Sequence, residues 1–369
     1  MYRPVLEMAL SMHCARAGQV SAARAHFRAS ERAAQKFDSP KLRASMLSGR
    51  IHMLDSPHLR KRWLDATLEY AELARELGDR PMLANALKHR YMGLLEFGDT
   101  RAMRQVLRSY VKLADQLYMP QTLFYRHAFE GCRHWIEGRF DTAEQTFDRA
   151  LEFLTQGGAE ARFAMLWRGP LLRERGQLRR VLSAFSELAS YDPVVSASLA
   201  LELCESGAED QARRSLHQIR DRGLDAIPAG STWLVTLSVL AELSAQLADP
   251  TMTPLLLETL TPFAHCNAAG YGVSCIGPIS YFLARLHSAL GDWKQAERAF
   301  EQADQRSREL RSPVFVTQTR LGRVDLLLRR AAPGDRTLAL ALLGKISTTA
   351  RATGMQRVVD RAAALRASL

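Results

Sequence analysis

The 369-residue sequence predicts an all-α fold: a right-handed α-solenoid of about nine helical hairpins, with a period of about 40 residues and a C-terminal capping helix. Three observations carry that expectation. A glycine, a residue five places on that is usually alanine, and a large apolar residue nine places on recur along the chain. Most of the fourteen prolines fall where a hairpin should begin or a turn should lie. No stretch sustains the period-two alternation of a half-buried strand, so strands are not expected.

The repeat runs through Gly18/Ala23/Phe27, Gly98/Met103/Leu107, Gly138/Ala143/Phe147, Gly176/Val181/Phe185, Gly207/Ala212/Leu216, Gly291/Ala296/Phe300 and Gly334/Ala339/Leu343. Its glycines lie 80, 40, 38, 31, 84 and 43 residues apart. The two long gaps each hold about two periods, and degenerate turns stand inside them at Asp55-Ser56-Pro57 and Ala248-Asp249-Pro250. The pattern is packing chemistry. Glycine ends the first helix of a hairpin because it takes the left-handed conformation without a Cβ clash. The small residue lets the second helix approach closely, and the bulky one a turn later fills the space between neighbours. Asp99, Asp141 and Asp292 stand near the starts of second helices, where a carboxylate caps free amides.

Pro40, Pro57, Pro81, Pro120, Pro193, Pro250, Pro313 and Pro333 mark hairpin starts and turns, as a residue tolerated only in a helix's first turn should. Pro170 departs from this rule and predicts a kink inside an expected helix 159–175. Expected pairs are 81–97 with 100–117, 120–137 with 141–155, and 278–290 with 292–310, and 355–367 reads as the cap. On that cap Val358, Ala362 and Leu365 share an apolar face, while Arg357, Asp360 and Ala364 are expected to point toward water. The linker-like stretch 223–231 divides the expected continuous array into halves 1–222 and 223–369. Met46, Met53, Met82, Met92 and Met103, at helical spacing, read as core filler rather than as a soft peptide-binding surface.

A hairpin period near 40 is tetratricopeptide-like but exceeds the roughly 34 residues of the standard repeat, so longer helices are expected. The runs Gly223–Trp233, Leu234–Leu243, Ala268–Pro278, Leu290–Phe300 and Ala332–Arg336 resemble the C-terminal helical-repeat region of large bacterial signal-transduction ATPases, best over 193–355. In that group an ATPase module precedes the repeats, and a nucleotide-cyclase or transcriptional-activator domain is often attached. The resemblance implies a sensing and scaffolding part, either a detached portion of such a protein or a stand-alone relative. The engine is missing: the sequence has no G-x-x-x-x-G-K-[S/T], hence no phosphate cradle and no Walker lysine.

Composition narrows the function classes. The net charge of +11 comes almost wholly from arginine, since lysine occurs seven times. Arginines spread over solvated helix faces explain that charge, and nucleic-acid binding by a basic helical-repeat surface is the alternative. Against the alternative, 39 acidic residues are interleaved with the basic ones. Five scattered cysteines read as reduced thiols, and Met1–Gly18 has no uninterrupted apolar stretch, so a cytoplasmic chain is expected. The most apolar segment, 233–248, holds Glu242, Ser238 and Ser244 and is too short and polar to span a bilayer.

No catalytic residue, cofactor or metal is expected. Gly270-Tyr271-Gly272 lacks the third glycine of a nucleotide fingerprint, Cys275 standing in its place, and reads as a connecting loop. Cys132, His134 and His127, like His265, Cys266 and Cys275, lack zinc-ligand spacing. The expected function is a non-enzymatic interaction scaffold or sensor region that binds a protein or peptide in a groove lined by first helices, with self-association as a variant. Candidate groove residues are Lys88, Arg90, Arg126, Arg133, Trp135, Arg162 and Arg168, whose guanidinium forks suit carboxylates. An ATPase or cyclase module acting in cis or in trans is the partner the resemblance implies.

Overall fold

The structure, a computed structural model, describes residues 2–16, 20–34, 36–37, 39–154, 168–178 and 192–369. Its helices are α1 (Tyr2–Arg16), α2 (Val20–Ala34), α3 (Pro40–Met53), α4 (Arg60–Glu76), α5 (Arg80–Phe97), α6 (Thr100–Leu117), α7 (Pro120–Ile136) and α8 (Phe140–Leu151). The helical segment 168–174 follows as α9. Then come α10 (Pro193–Glu205), α11 (Glu209–Arg222), α12 (Trp233–Leu247), α13 (Met252–Leu260), α14 (Ile279–Ala289), α15 (Trp293–Glu309), α16 (Pro313–Arg330), α17 (Asp335–Thr353) and α18 (Gln356–Ser368). Among the described residues eight hairpins are complete, α9 is a first helix, and α18 follows the last hairpin. The chain is thus an all-α helical-repeat fold.

The chain divides into two compact units. One comprises Met1–Leu94 and Arg101–Thr122, the other Leu95–Thr100 and Leu123–Leu369. The position 222/223 falls inside the second unit. In the first unit, Met8, Phe27, Leu42 and Met46 form one apolar cluster, and Leu47, Ile51, Trp63 and Tyr70 belong to another. Met53, Met82 and Met92 pack against these clusters as core filler.

The repeat chemistry is visible residue by residue. Ala143, Ala212, Ala296 and Ala339 are fully buried, as are their bulky followers Phe147, Leu216, Phe300 and Leu343. Gly98, Gly138, Gly207 and Gly291 have positive φ at the ends of first helices. A second set of glycines receives the bulky residue from the opposite helix. A Cβ on Gly322 would lie 2.8 Å from the Phe300 ring, and one on Gly131 would lie 2.5 Å from Phe147. At the degenerate turn Ala248 itself takes the left-handed conformation, with φ of 47°. There Asp249 Oδ1 accepts from the Thr251 and Met252 amides at 3.1 and 2.9 Å, which opens α13. Residues Gly18, Gly157, Gly158, Val181 and Phe185 lie outside the described residues, and the expected helix 159–175 is described only from 168.

The expectation of no strands is overturned. β1 (Asn267–Gly270) and β2 (Ser274–Pro278) pair antiparallel, with Ala269 opposite Cys275 and Gly270 opposite Ser274. Between them Tyr271 and Gly272 both have positive φ, and the Val273 amide donates to Gly270 O at 3.1 Å, the geometry of a tight hairpin turn. The strands are short, made largely of small residues and buried almost throughout, so they carry no alternation to read. Gly270-Tyr271-Gly272 is therefore a strand end and hairpin turn rather than a plain loop. The hairpin is an anchor. Asn267 Nδ2 donates to Leu95 O at 2.7 Å, and the Trp135 indole donates to Cys275 O at 2.7 Å.

The cap forms as expected on its apolar side, with Val358, Ala362 and Leu365 buried. Its polar side needs a correction: Arg357 does not point to water. It reaches Glu174 and Glu205, because the buried Glu174 carboxylate needs a counter-charge and the Glu205 carboxylate stands beside it. Coupling in the second unit is therefore not confined to sequence neighbours. No helix among the described residues is long and apolar enough to cross a membrane.

Candidate functional site

In the second unit the first helices stand side by side: α10 packs on α12, α12 on α14, α14 on α16, and α16 on α18. Their shared face lines a cleft of about 710 Å³ that leads to a deeper pocket of about 80 Å³. Each helix contributes at helical spacing, as one face must. Glu242 and Gln246 come from α12, Tyr281 and Arg285 from α14, Gln318, Leu321 and Asp325 from α16, and Arg357, Arg361 and Ala364 from α18. The deeper pocket adds Trp135, Pro170, Arg173, Glu174, Val194, Val235, Ser274 and Ile276. Glu242, Tyr281, Gln318 and Arg357 border both spaces.

An ionic network fills the junction. Arg173 grips Glu205 through two nitrogens, with Nε to Oε2 at 3.1 Å. Arg357 donates from Nε to Glu174 Oε1 at 3.1 Å, and its Nη1 lies 3.6 Å from Glu205. Gln318 Nε2 donates to the same Glu174 oxygen at 3.0 Å. Arg285 pairs with Asp325 at 2.7 Å and with Glu242 at 3.6 Å, and Gln246 donates to Glu242 Oε1 at 3.0 Å. Arg361, more than half exposed, joins Asp325 from the rim at 3.4 Å.

Burial and charge oppose each other throughout this network. Burial alone would raise the Glu205 carboxyl, but Arg173 and Arg357 beside it bring it down to about 2. Burial would favour loss of the Arg173 and Arg285 charges, and their carboxylate partners hold both protonated. The Tyr281 phenol is pushed up by burial and by Glu242. Around the deeper pocket three buried oxygens, Glu174 Oε2, Glu242 Oε2 and Ser274 Oγ, have no hydrogen-bond partner among the described residues, and on the cleft side the buried Arg285 Nε also lacks one.

The residues singled out from sequence fall mostly elsewhere. Lys88 is half-buried on α5, and burial lowers its ammonium to about 8. Arg90 donates to Leu64 O at 3.1 Å. Arg126 pairs with Glu130 at 3.1 Å, and Arg133 with Glu137 at 3.4 Å, along α7. Arg168 pairs with Asp148. Arg162 lies outside the described residues. Trp135 does border the deeper pocket, but as a structural post: it is 3% exposed and stacked on Phe140 at 5.2 Å. No motif in the sequence announces the network. One signal was present: Glu242 is a carboxylate in the most apolar stretch of the chain, and such a charge needs a partner when buried.

The cysteine and histidine groups form no ligand set, and no group of three or more metal-binding side chains occurs among the described residues. Cys132 and Cys275 are buried, and burial raises both thiols, Cys275 to about 12. They are poor nucleophiles.

No family model matches this chain, and no curated protein matches it. Among solved structures it is similar to yeast Tom70, at 11% identity and a TM-score of 0.32, covering 98% of this chain and 88% of that one. It is also similar to a Naa15/Naa10 structure bound to HypK, at 15% identity and a TM-score of 0.26. That match covers 98% of this chain and 65% of that one, so this chain spans less than two thirds of it. A third is a circular tandem repeat protein, at 13% identity and a TM-score of 0.20, with 97% and 92% covered. Likeness at this level bears on neither partner nor activity.

Proposed function

We propose that the chain is a non-enzymatic scaffold or sensor region that holds a protein or peptide in the first-helix cleft of its second unit. One observation carries this reading: residues from α12, α14, α16 and α18, spread over more than a hundred positions of sequence, present one continuous cleft. Such a face suits an extended chain, whose alternating side chains can meet alternating arginines and carboxylates. The resemblance of 193–355 to the repeats of bacterial signal-transduction ATPases supports a regulatory setting in the cytoplasm, with an ATPase or cyclase module in cis or in trans. A nucleic-acid backbone is a poorer fit, because Arg173, Arg285 and Arg357 are already engaged by carboxylates.

The test is occlusion. Ala364 lines the cleft and is exposed, whereas Leu340 is 40% exposed on the second helix α17. Ala364→Trp should abolish capture of the chain's partners from its native cell, and Leu340→Trp should leave them, with circular dichroism unchanged in both. Capture that survives Ala364→Trp contradicts the reading.

A further inference from the structure

The deeper pocket is chemically unbalanced. Its guanidiniums are spent: Arg173 is held bidentately by Glu205, and all three nitrogens of Arg357 face Glu174 or Glu205. Its acceptors are not spent. Glu174 is 1% exposed and Glu242 6%, yet the second carboxylate oxygen of each has no partner among the described residues, nor has the Ser274 hydroxyl, which is 2% exposed. A buried charged oxygen without a donor is costly, and folded chains rarely tolerate one that nothing satisfies. Two in one pocket, beside a third unmet hydroxyl, call for a ligand that donates.

The pocket's own lining carries two carboxylates, Glu174 and Glu242, and two guanidiniums, Arg173 and Arg357. Both guanidiniums are taken up by Glu205 and Glu174, so neither is left to meet the two bare carboxylate oxygens. Apart from Ser198 and Gln318, the rest of the lining is apolar or aromatic, with Val194, Val235 and Ile276 beside the Tyr281 ring. Ring faces attract cations, and aliphatic walls take a hydrocarbon body.

We infer that this pocket is a binding site for a small organic ammonium ion with an apolar body, its N–H groups donating to Glu174 Oε2, Glu242 Oε2 and Ser274 Oγ. The ligand enters through the cleft, since Glu242, Tyr281, Gln318 and Arg357 border both spaces. Bound there, it touches α9, α12, α14, α16 and α18 together, so its occupancy reports on the packing of the whole row. The inference does not depend on the cleft's holding a protein.

Phenethylamine, 2-phenylethanol and 3-phenylpropionate share a body and differ in the head group, so calorimetric titration of the full chain at pH 7 with each isolates the charge. The amine should bind at submillimolar concentration and raise the melting temperature, and the alcohol and the acid should bind at least tenfold more weakly. Glu242→Gln, near-isosteric and able to keep its Gln246 contact, should cut amine affinity at least tenfold. Ser274→Ala, a milder change, should weaken it severalfold. Equal binding of amine and alcohol, preference for the acid, or no binding of any of the three would overturn the inference. The occlusion test with Ala364→Trp reads the outer cleft separately, so failure of one does not imply failure of the other.

Discussion

Arg357 and Glu174 stand 183 residues apart in sequence and meet in the second unit, where the Arg357 Nε–H donates to Glu174 Oε1 at 3.1 Å. Glu174 is 1% exposed, so the pair is buried on the acid's side. Its effect is topological: the last helix, α18, is tied to α9, and the row of first helices returns toward its own beginning. Gly138, at the end of α7, supports the same closure, for a Cβ there would lie 3.1 Å from both Pro313 and Thr353.

Removing one partner of a buried pair strands the other, and the expected cost is about 3–5 kcal/mol. Arg357→Met should therefore destabilise the chain strongly, while Arg357→Met combined with Glu174→Gln should recover part of the loss. A double-mutant cycle by urea unfolding measures the coupling, which should be about 1–3 kcal/mol. Additive effects would show that the two helices are not held together by this contact.

Acid should act through Glu205. Its folded carboxyl is depressed to about 2, below the ordinary glutamate value near 4.5, so it releases its proton more readily in the folded state. The associated stabilisation is fully present above about pH 4.5 and is lost as pH falls from there through about 2, and solvent around Glu205 reduces its size. Glu205→Gln should be less stable at pH 7 and should flatten the stability curve across that window. Urea midpoints at half-unit steps of pH check it, and parallel curves for the two proteins would contradict the account.

The mid-helix glycines separate packing from propensity. A Cβ on Gly322 meets the Phe300 ring at 2.8 Å, whereas one on Gly344 meets nothing within 4 Å. Gly322→Ala should cost about 1–3 kcal/mol by overpacking. Gly344→Ala, at an exposed position in α17, should stabilise by about 0.5–1 kcal/mol. Thermal melts of both variants decide it, and a shared sign would mean that α15 and α16 do not meet as described.

What the sequence made legible was local. Expected helices 81–97, 100–117 and 355–367 correspond to Arg80–Phe97, Thr100–Leu117 and Gln356–Ser368, because the glycine, the small residue and the bulky residue act within one hairpin. That first helices line a groove is what the tetratricopeptide likeness implies, not something the period itself gives. The ionic network does not follow from the period either, since a repeat period says which neighbours pack but not that residue 357 returns to residue 174. Nor did Asn267–Pro278 announce its strands, for Ala, Gly, Ser and Cys have little strand preference and no alternation survives full burial. Glu242 amid Trp233–Leu247 was the one residue whose chemistry pointed to distant partners.

Charge gives a prediction for nucleic acid. The net charge of +11 is spread over the chain, and the cleft arginines are engaged by acids. Filter binding to random single-stranded RNA should be weak and lost by about 0.15 M salt. Tight binding that persists at about 0.2 M salt would favour a nucleic-acid partner over a protein.

The central claim is that partners dock on the first-helix face of the second unit. Site-specific photocrosslinking in the native cell tests it most directly, with p-benzoylphenylalanine placed at Ala364 in the cleft or at Leu340 on α17. The account predicts a discrete protein adduct from position 364 on irradiation and none from position 340. Adducts from position 340 alone, or no adduct from position 364, would contradict it.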